Sequence, residues 1–362
     1  MSGSATKNSA AAGKNVCGSL SARGIRVNGK RTAALGAAVA AAAAAALCIL
    51  FGGSKTAQKS LFAMDTYMTL SCTGRGAEKA LDAACAEIRR LDALLNAADP
   101  ASDLYALNSA GGGALSGDIA ALTEKSLALY EDTGGAFDAA MLPLTTAWGF
   151  STGDYRVPAA DELEAALALS GSARLSCSGG TLAMPQGAGL DLGGIAKGYA
   201  ADRVRDILTA RGVTSACLSL GGNICVIGGR EDGSSWRVGI QDPQGGDYLG
   251  VLSVRDTAVV TSGSYERRFT DGQGVEYHHI LDPKTGCPAR SGLVSVTVVC
   301  ADGTTADGLS TACFVMGAQK ALEYRASHGG FELVMLCEDG TLYATKGLDG
   351  SFSTERAVTW AD

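Results

Sequence analysis

No Asp or Glu occurs before Asp65, although Lys7, Lys14, Arg23, Arg26, Lys30, Arg31, Lys55 and Lys59 all fall in that stretch. The whole chain carries −7, and setting those eight bases aside leaves 22 Lys and Arg against 37 Asp and Glu, a balance of −15 from Asp65 onward. An acidic body lacks the Lys and Arg surface that neutralises phosphates, so nucleic acid is excluded as a partner. The eleven cysteines form neither a CxxC pair nor a short Cys/His ladder. HExxH, GxSxG, GxxxxGK[ST] and GxGxxG are also missing, which removes the zinc-protease, hydrolase-elbow, Walker and Rossmann readings. Proline is scarce at 7 of 362 residues and no internal repeat is visible, while 46% of the chain is hydrophobic. That is material for a real core and excludes a disordered or collagen-like chain.

The basic start and the run that follows it read as a targeting device. Residues 33–51 carry no charge and are mostly Ala, with Leu35, Val39, Leu47, Ile49, Leu50 and Phe51. The length is close to the roughly 17 residues that cross a bilayer as a helix. The basic flank assigns residues 1–32 to the cytoplasm and exports the rest. The expected organisation is therefore a cytoplasmic segment 1–32, a hydrophobic anchor or signal 33–51, a polar spacer 52–60 and an exported domain 61–362 at the cell membrane. A transmembrane helix, a cleaved signal and lipid attachment at Cys48 all fit this segment. Several cysteines sit inside apolar runs such as Thr311-Ala312-Cys313-Phe314-Val315-Met316 and are expected to be buried thiols.

In the exported part, 62–72 is expected to be one strand. Leu81, Cys85, Ile88, Leu91 and Leu95 recur at helical spacing, so 77–95 is expected to be an amphipathic helix. Further helices are expected over 119–133, 161–169 and 196–210, and strands over 215–220, 225–227, 236–240, 251–254 and 293–300. Asp339-Gly340 supplies the turn of a hairpin joining 331–337 to 342–344. This texture is α+β, with mixed sheets and flanking helices, rather than a regular strand-helix alternation.

Three clusters are richer in glycine and polar groups than packing requires. In Asp191-Leu192-Gly193-Gly194-Ile195-Ala196-Lys197-Gly198-Tyr199, glycines precede a helix whose free amides suit a phosphate or an ion, or simply make a structural turn. In Asp307-Gly308-Leu309-Ser310-Thr311, Asp307 opens a helical stretch and places its oxygen on the face shared by Ser310 and Thr311. Those are hard donors for magnesium or calcium, or a plain helix cap. In the third cluster, 277–286, a strand through 277–281 would turn His278 and His279 to opposite faces, so the two cannot readily grip one metal. His279 is the candidate acid or base, His328 is expected in an exposed loop, and Asp282-Pro283-Lys284-Thr285-Gly286 is turn chemistry. The segment 261–269 offers hydroxyls and arginines to a phosphate, or forms a solvated sheet edge.

In this order the segments resemble the ApbE family of FAD:protein FMN transferases. The resemblance is carried by Met64-Asp65-Thr66, Phe137-Asp138 with Pro143-Leu144 and Trp148-Gly149-Phe150, the loop 191–199, Leu220-Gly221-Gly222-Asn223-Ile224, Val260-Thr261-Ser262-Gly263, His279 to Gly286 and Asp307 to Thr311. It implies a single ApbE-like domain and magnesium-dependent transfer of FMN from FAD to a Thr or Ser hydroxyl of an acceptor protein, with AMP leaving. By the same resemblance, Asp307, Thr311, Ser310 and the Gly194 carbonyl would hold the metal. Met64, Ala136, Phe137, Asp138, Asp191, Lys197 and Leu281 would contact FAD, and His279 and Asp307 would be catalytic. The acceptor is expected to be a subunit of a membrane redox complex. FAD hydrolysis to FMN and AMP, or plain FAD binding by a surface lipoprotein, stand as alternatives. Where many members carry an aromatic ring, Asn96-Ala97-Ala98-Asp99 places Ala98, which weakens stacking on the flavin and leaves room for hydrolysis.

Overall fold

A computed structural model describes residues 56–243, 245 and 248–362. The expected cytoplasmic segment and anchor, with Cys17 and Cys48, lie outside the described residues. Among the described residues no helix is long and apolar enough to cross a membrane.

The scaffold is a nine-stranded sheet whose strands lie side by side in chain order: β1 Thr56–Ala63, β2 Thr66–Thr73, β3 Ala216–Leu220, β4 Asn223–Ile227, β5 Thr257–Gly263, β6 Leu293–Cys300, β7 Phe331–Cys337, β8 Leu342–Thr345 and β9 Val358–Ala361. Neighbours pair antiparallel except β8 and β9, which are parallel. The helices are α1 Ala77–Leu95, α2 Asp103–Ser109, α3 Gly117–Asp132, α4 Leu142–Ala147, α5 Ala160–Leu169, α6 Ala196–Ala210, α7 Gly303–Met316 and α8 Ala318–His328.

Strand periodicity sorts the central side chains into two cores. Ala258 and Val260 of β5, with Leu333 and Met335 of β7, face the core that holds the buried stripe of α1, Val204 and Leu208 of α6, and Phe314 of α7. The intervening Val259, Val334 and Leu336 face a second core with Trp236, Val238, Ile240 and Leu252. That second layer is a three-stranded sheet of Trp236–Ile240, Gly250–Val254 and Phe352–Ser353. Burial on both faces is why these strands read as almost continuous apolar runs instead of alternating ones.

Several expectations are corrected. The spacer placed at 52–60 gives way from Thr56 onward to β1. The single strand expected over 62–72 is a hairpin, with Ala63 paired to Thr66 across Met64 and Asp65, whose φ values are 50° and 58°. A two-residue turn with both φ positive matches the twist of its strands, but it normally takes Asn-Gly, so pattern reading misses it. Asp307 does not open its helix. α7 starts at Gly303 and is capped by Asp302, whose Oδ1 accepts from Thr305 N at 2.7 Å. The expected strand 277–281 is strand only over Glu276–His278. His328 is the last residue of α8 and stacks on Tyr324, with ring centroids 4.1 Å apart. None of the nine described cysteines is in a disulfide, and six are buried. The 331–344 hairpin and the helix 77–95 are as expected.

Candidate active site

The first wall of the site is the crossing of α6 and α7. Gly198, in the first turn of α6, is pressed so close to α7 that a Cβ there would lie 2.1 Å from Gly303 O and 2.7 Å from Asp307 Cβ. Only glycine allows that approach. Two carboxylates lock it reciprocally. Asp307 of α7 accepts from Gly198 N at 2.8 Å, capping α6. Asp202 of α6 accepts from Gly303 N at 2.9 Å, Thr304 N at 2.7 Å and Thr304 Oγ1 at 2.6 Å, capping α7, and pairs with Arg205 at 2.9 Å. Each helix start thus finds an anion for its orphan amides on the other helix.

The crossing assembles the expected metal donors. A Cβ on Gly194 would lie 3.9 Å from Thr311 Oγ1 and 3.3 Å from the Phe137 ring, so the Gly194 loop rests directly on α7. Ser310 Oγ is 2.8 Å from Asp307 O and 2.8 Å from Ser262 Oγ, and Ser262 Oγ is 3.5 Å from Thr311 Oγ1. Asp307 is only 4% exposed, because α7 is covered on both sides. Burial pushes its carboxyl pKa up, opposed by the Lys197 ammonium and by the Gly198 amide. The Asn223 amide also faces this carboxylate without closing a hydrogen bond of normal geometry, and its Nδ2 has no partner among the described residues. A buried carboxylate beside hydroxyls and a glycine carbonyl fits a hard divalent cation. Among the described residues no three His, Cys, Asp or Glu side chains gather to hold a metal, which leaves this mixed oxygen set.

The second wall is apolar and aromatic. Trp148, Phe150, Phe269 and Tyr277 stack in one cluster, and Trp148 Nε1 donates to Gly286 O at 2.8 Å. Leu281 lies in the same cluster, fixed by its bridge to Pro288. His278 and His279 do diverge: His278 packs on Phe314 and bonds Ala289 O at 3.0 Å, whereas the His279 ring meets Phe150 edge-on at 6.5 Å. His279 Nδ1 is buried with no partner among the described residues. Burial first, then Arg267 and Lys197, hold this imidazole well below its usual pKa, so it is neutral at physiological pH. Those interactions place His279, Lys197 and Asp307 in one electrostatic neighbourhood, together with the Glu266 carboxyl, which is coupled to Lys197, Asp307 and Arg267.

The remaining expected contacts divide into side chains available to a ligand and side chains already engaged. Met64 is held in its left-handed turn by its amide donating to Asp92 Oδ1 at 2.9 Å. Asp191 accepts from Gly193 N at 2.9 Å and Thr145 Oγ1 at 2.8 Å, shaping the glycine loop. The Asp138 carboxylate is engaged by Ser172 N, Ser172 Oγ and Ala140 N, which holds the 136–138 loop. Phe137 is 2% exposed and backs Gly194, while Ala136 is half-buried beside it. Sequence reasoning assigned no role to Asp202, Asn223 or Glu266, and gave Ser262 and Arg267 only a general one toward a phosphate. The 220–224 and 261–269 motifs flagged all of these except Asp202, which resembles any helical acid until the fold is known.

Fold and site together define an α+β protein whose helix crossing presents hard oxygens opposite a neutral imidazole. The chain belongs to the ApbE family, whose model matches residues 64–335. It is 36% identical over 297 residues to the FAD:protein FMN transferase of Treponema pallidum, covering 74% of this chain and 82% of that one. Among solved structures, it resembles the ApbE protein of Thermotoga maritima with a TM-score of 0.77 and 32% identity, over 84% of this chain and all of that one. It also resembles the flavinyl transferase ApbE of Pseudomonas stutzeri with a TM-score of 0.74 and 32% identity, over 85% and 99% of the two chains.

Proposed function

We propose that the protein is an FAD:protein FMN transferase, magnesium-dependent, acting on an acceptor at the outer side of the cell membrane, to which residues 33–51 tether it. The observation that carries this reading is the α6–α7 crossing, which sets the Gly194 loop against Thr311 and Asp307. Asp307, Ser310, Thr311 and the Gly194 carbonyl would hold magnesium, which when bound supplies Lewis-acid neutralisation of a diphosphate.

The protein's own groups do the rest. Lys197, at the entrance of α6, adds positive charge where the diphosphate of FAD would lie. The acceptor hydroxyl oxygen forms a bond to the FMN phosphorus as the bond to the AMP oxygen breaks, and AMP leaves with that electron pair. The hydroxyl proton passes to a base, and His279 is the group suited to take it: neutral, half-buried and with an unpartnered ring nitrogen. The Met64 turn, the 136–138 loop, Asp191 and Leu281 frame the flavin and its ribityl chain. Hydrolysis is a second reading, favoured by one observation: Ala98 is small and exposed in an Asx turn, its amide 3.0 Å from Asn96 Oδ1, and offers the flavin no ring.

Incubating the full-length chain with FAD, magnesium and an acceptor domain separates these readings. A covalently yellow acceptor with stoichiometric AMP supports transfer. AMP with free FMN, in equal yield with and without acceptor, supports hydrolysis, and unchanged FAD supports a binding protein. Mass spectrometry of the mature amino terminus tests the tether.

A further inference from the structure

Arg267 touches the surroundings of His279 through both its backbone and its side chain. His279 N donates to Arg267 O at 2.9 Å. The Arg267 guanidinium donates through Nη2 to Phe150 O at 2.8 Å. The Phe150 ring then meets the His279 ring edge-on, 6.5 Å between centroids and 74° between planes. The path from the His279 backbone through Arg267 and Phe150 back to the His279 ring is therefore closed. The same Nη2 lies 3.8 Å from Asp65 Oδ2, in the strained turn that carries Met64. That ion pair is exposed and worth little in stability, so the heading of the guanidinium rests on its bond to Phe150 O.

We propose that Arg267 is the positioning residue of His279, a clasp that orients the imidazole by its backbone and its ring together. The inference rests on the reading of His279 as the base of the transfer reaction. Arg267 is not itself placed against substrate. Among the charged groups around His279, Arg267, Lys197 and its neighbour His278 are cationic or able to become so and each disfavours the imidazolium, while the carboxyls of Glu266 and Asp307 lie beyond Lys197 and Arg267 in the same neighbourhood. Burial acts in the same direction. Of these, Arg267 alone also holds the ring's apolar seat through Phe150.

The full-length chain has three histidines, so 15N-histidine labelling resolves each imidazole directly. In the wild type, the His279 ring stays neutral down to a midpoint well below 6.5, the ordinary value. Arg267→Gln raises that midpoint by about one unit, and the acidic limb of the AMP-release profile moves with it while KM for FAD changes by less than about threefold. Arg267→Lys restores the charge and the wild-type midpoint. Its kcat nevertheless falls about tenfold, because a single ammonium cannot reproduce the planar heading of the guanidinium. An unchanged His279 midpoint in folded Arg267→Gln overturns the clasp. Should that variant not fold, a wild-type kcat in Arg267→Lys overturns it equally. A midpoint that moves as stated in a protein that transfers no flavin supports the clasp and defeats the transferase reading, so the two failures are distinguishable.

Discussion

The two walls of the site are built on opposite principles. The α6–α7 wall is locked by buried charge: Asp202 and Asp307 each cap the other's helix, and Gly198 leaves no space for even a methyl group. The His279 wall is held by ring packing, one buried indole hydrogen bond and a half-exposed arginine. A cation site needs donors fixed to a few tenths of an ångström, because its electrostatics fall off with distance and its ligands must be ready before binding. A wall that, on the proposed reading, would admit a macromolecular acceptor has no such demand. Stacked aromatics can shift by small amounts at little cost, whereas a buried carboxylate that loses its amides cannot.

Breaking the rigid wall should have the largest effect. Asp307→Asn should lower turnover about a thousandfold if it holds the proposed magnesium, since the buried anion is gone while the acceptor for Gly198 N remains. Because burial raises the Asp307 pKa, its contribution to stability is present below the unfolded value of about 3.9 and is lost as pH rises through the folded one. Without metal, the Asn variant should therefore melt no lower than the wild type at neutral pH and lack that slope. Thermal melts with and without magnesium check both statements.

On the softer wall, His279→Ala should slow transfer about a hundredfold with FAD affinity within about threefold. Equal loss of both, in single-turnover and binding assays, would make His279 a positioning group. Returning to the crossing, Gly198→Ala should cost about 3 kcal/mol of stability in urea unfolding and weaken manganese binding. Gly272→Ala, with open space around it, should stay within about 0.5 kcal/mol. Trp148→Phe strips the bond to Gly286 O and should cost about 1 to 2 kcal/mol, with only a few-fold change in kcat. If Trp148→Phe impaired turnover as severely as Asp307→Asn, the contrast between the walls would be wrong. Ala98→Tyr is the smallest perturbation, expected to move the ratio of transfer to hydrolysis by about threefold through stacking worth roughly 1 kcal/mol.

Much of this was legible beforehand. The helix over 77–95 followed from Leu81, Ile88 and Leu91 on one stripe, and the α+β class from the strand-rich texture after residue 215. That Asp307, Ser310 and Thr311 share a stretch of one helix was legible, because they lie within one turn or so of each other whatever the surroundings. Misread features were those whose cause is long-range. The Met64-Asp65 turn carries no glycine, and its left-handed backbone is sustained by Asp92, far along the chain.

Local spacing along the chain determined which residue types could share a helix face, which runs would be buried, and that the body is acidic. Those properties depend on neighbours a few positions apart. Tertiary structure alone decided that Asp202 and Asp307 cap each other's helices and that Arg267 closes on His279 through Phe150. Hydrogen bonds and charges act over a few ångströms of space, and residues more than one hundred positions apart come that close only when the sheet has brought their helices and loops together.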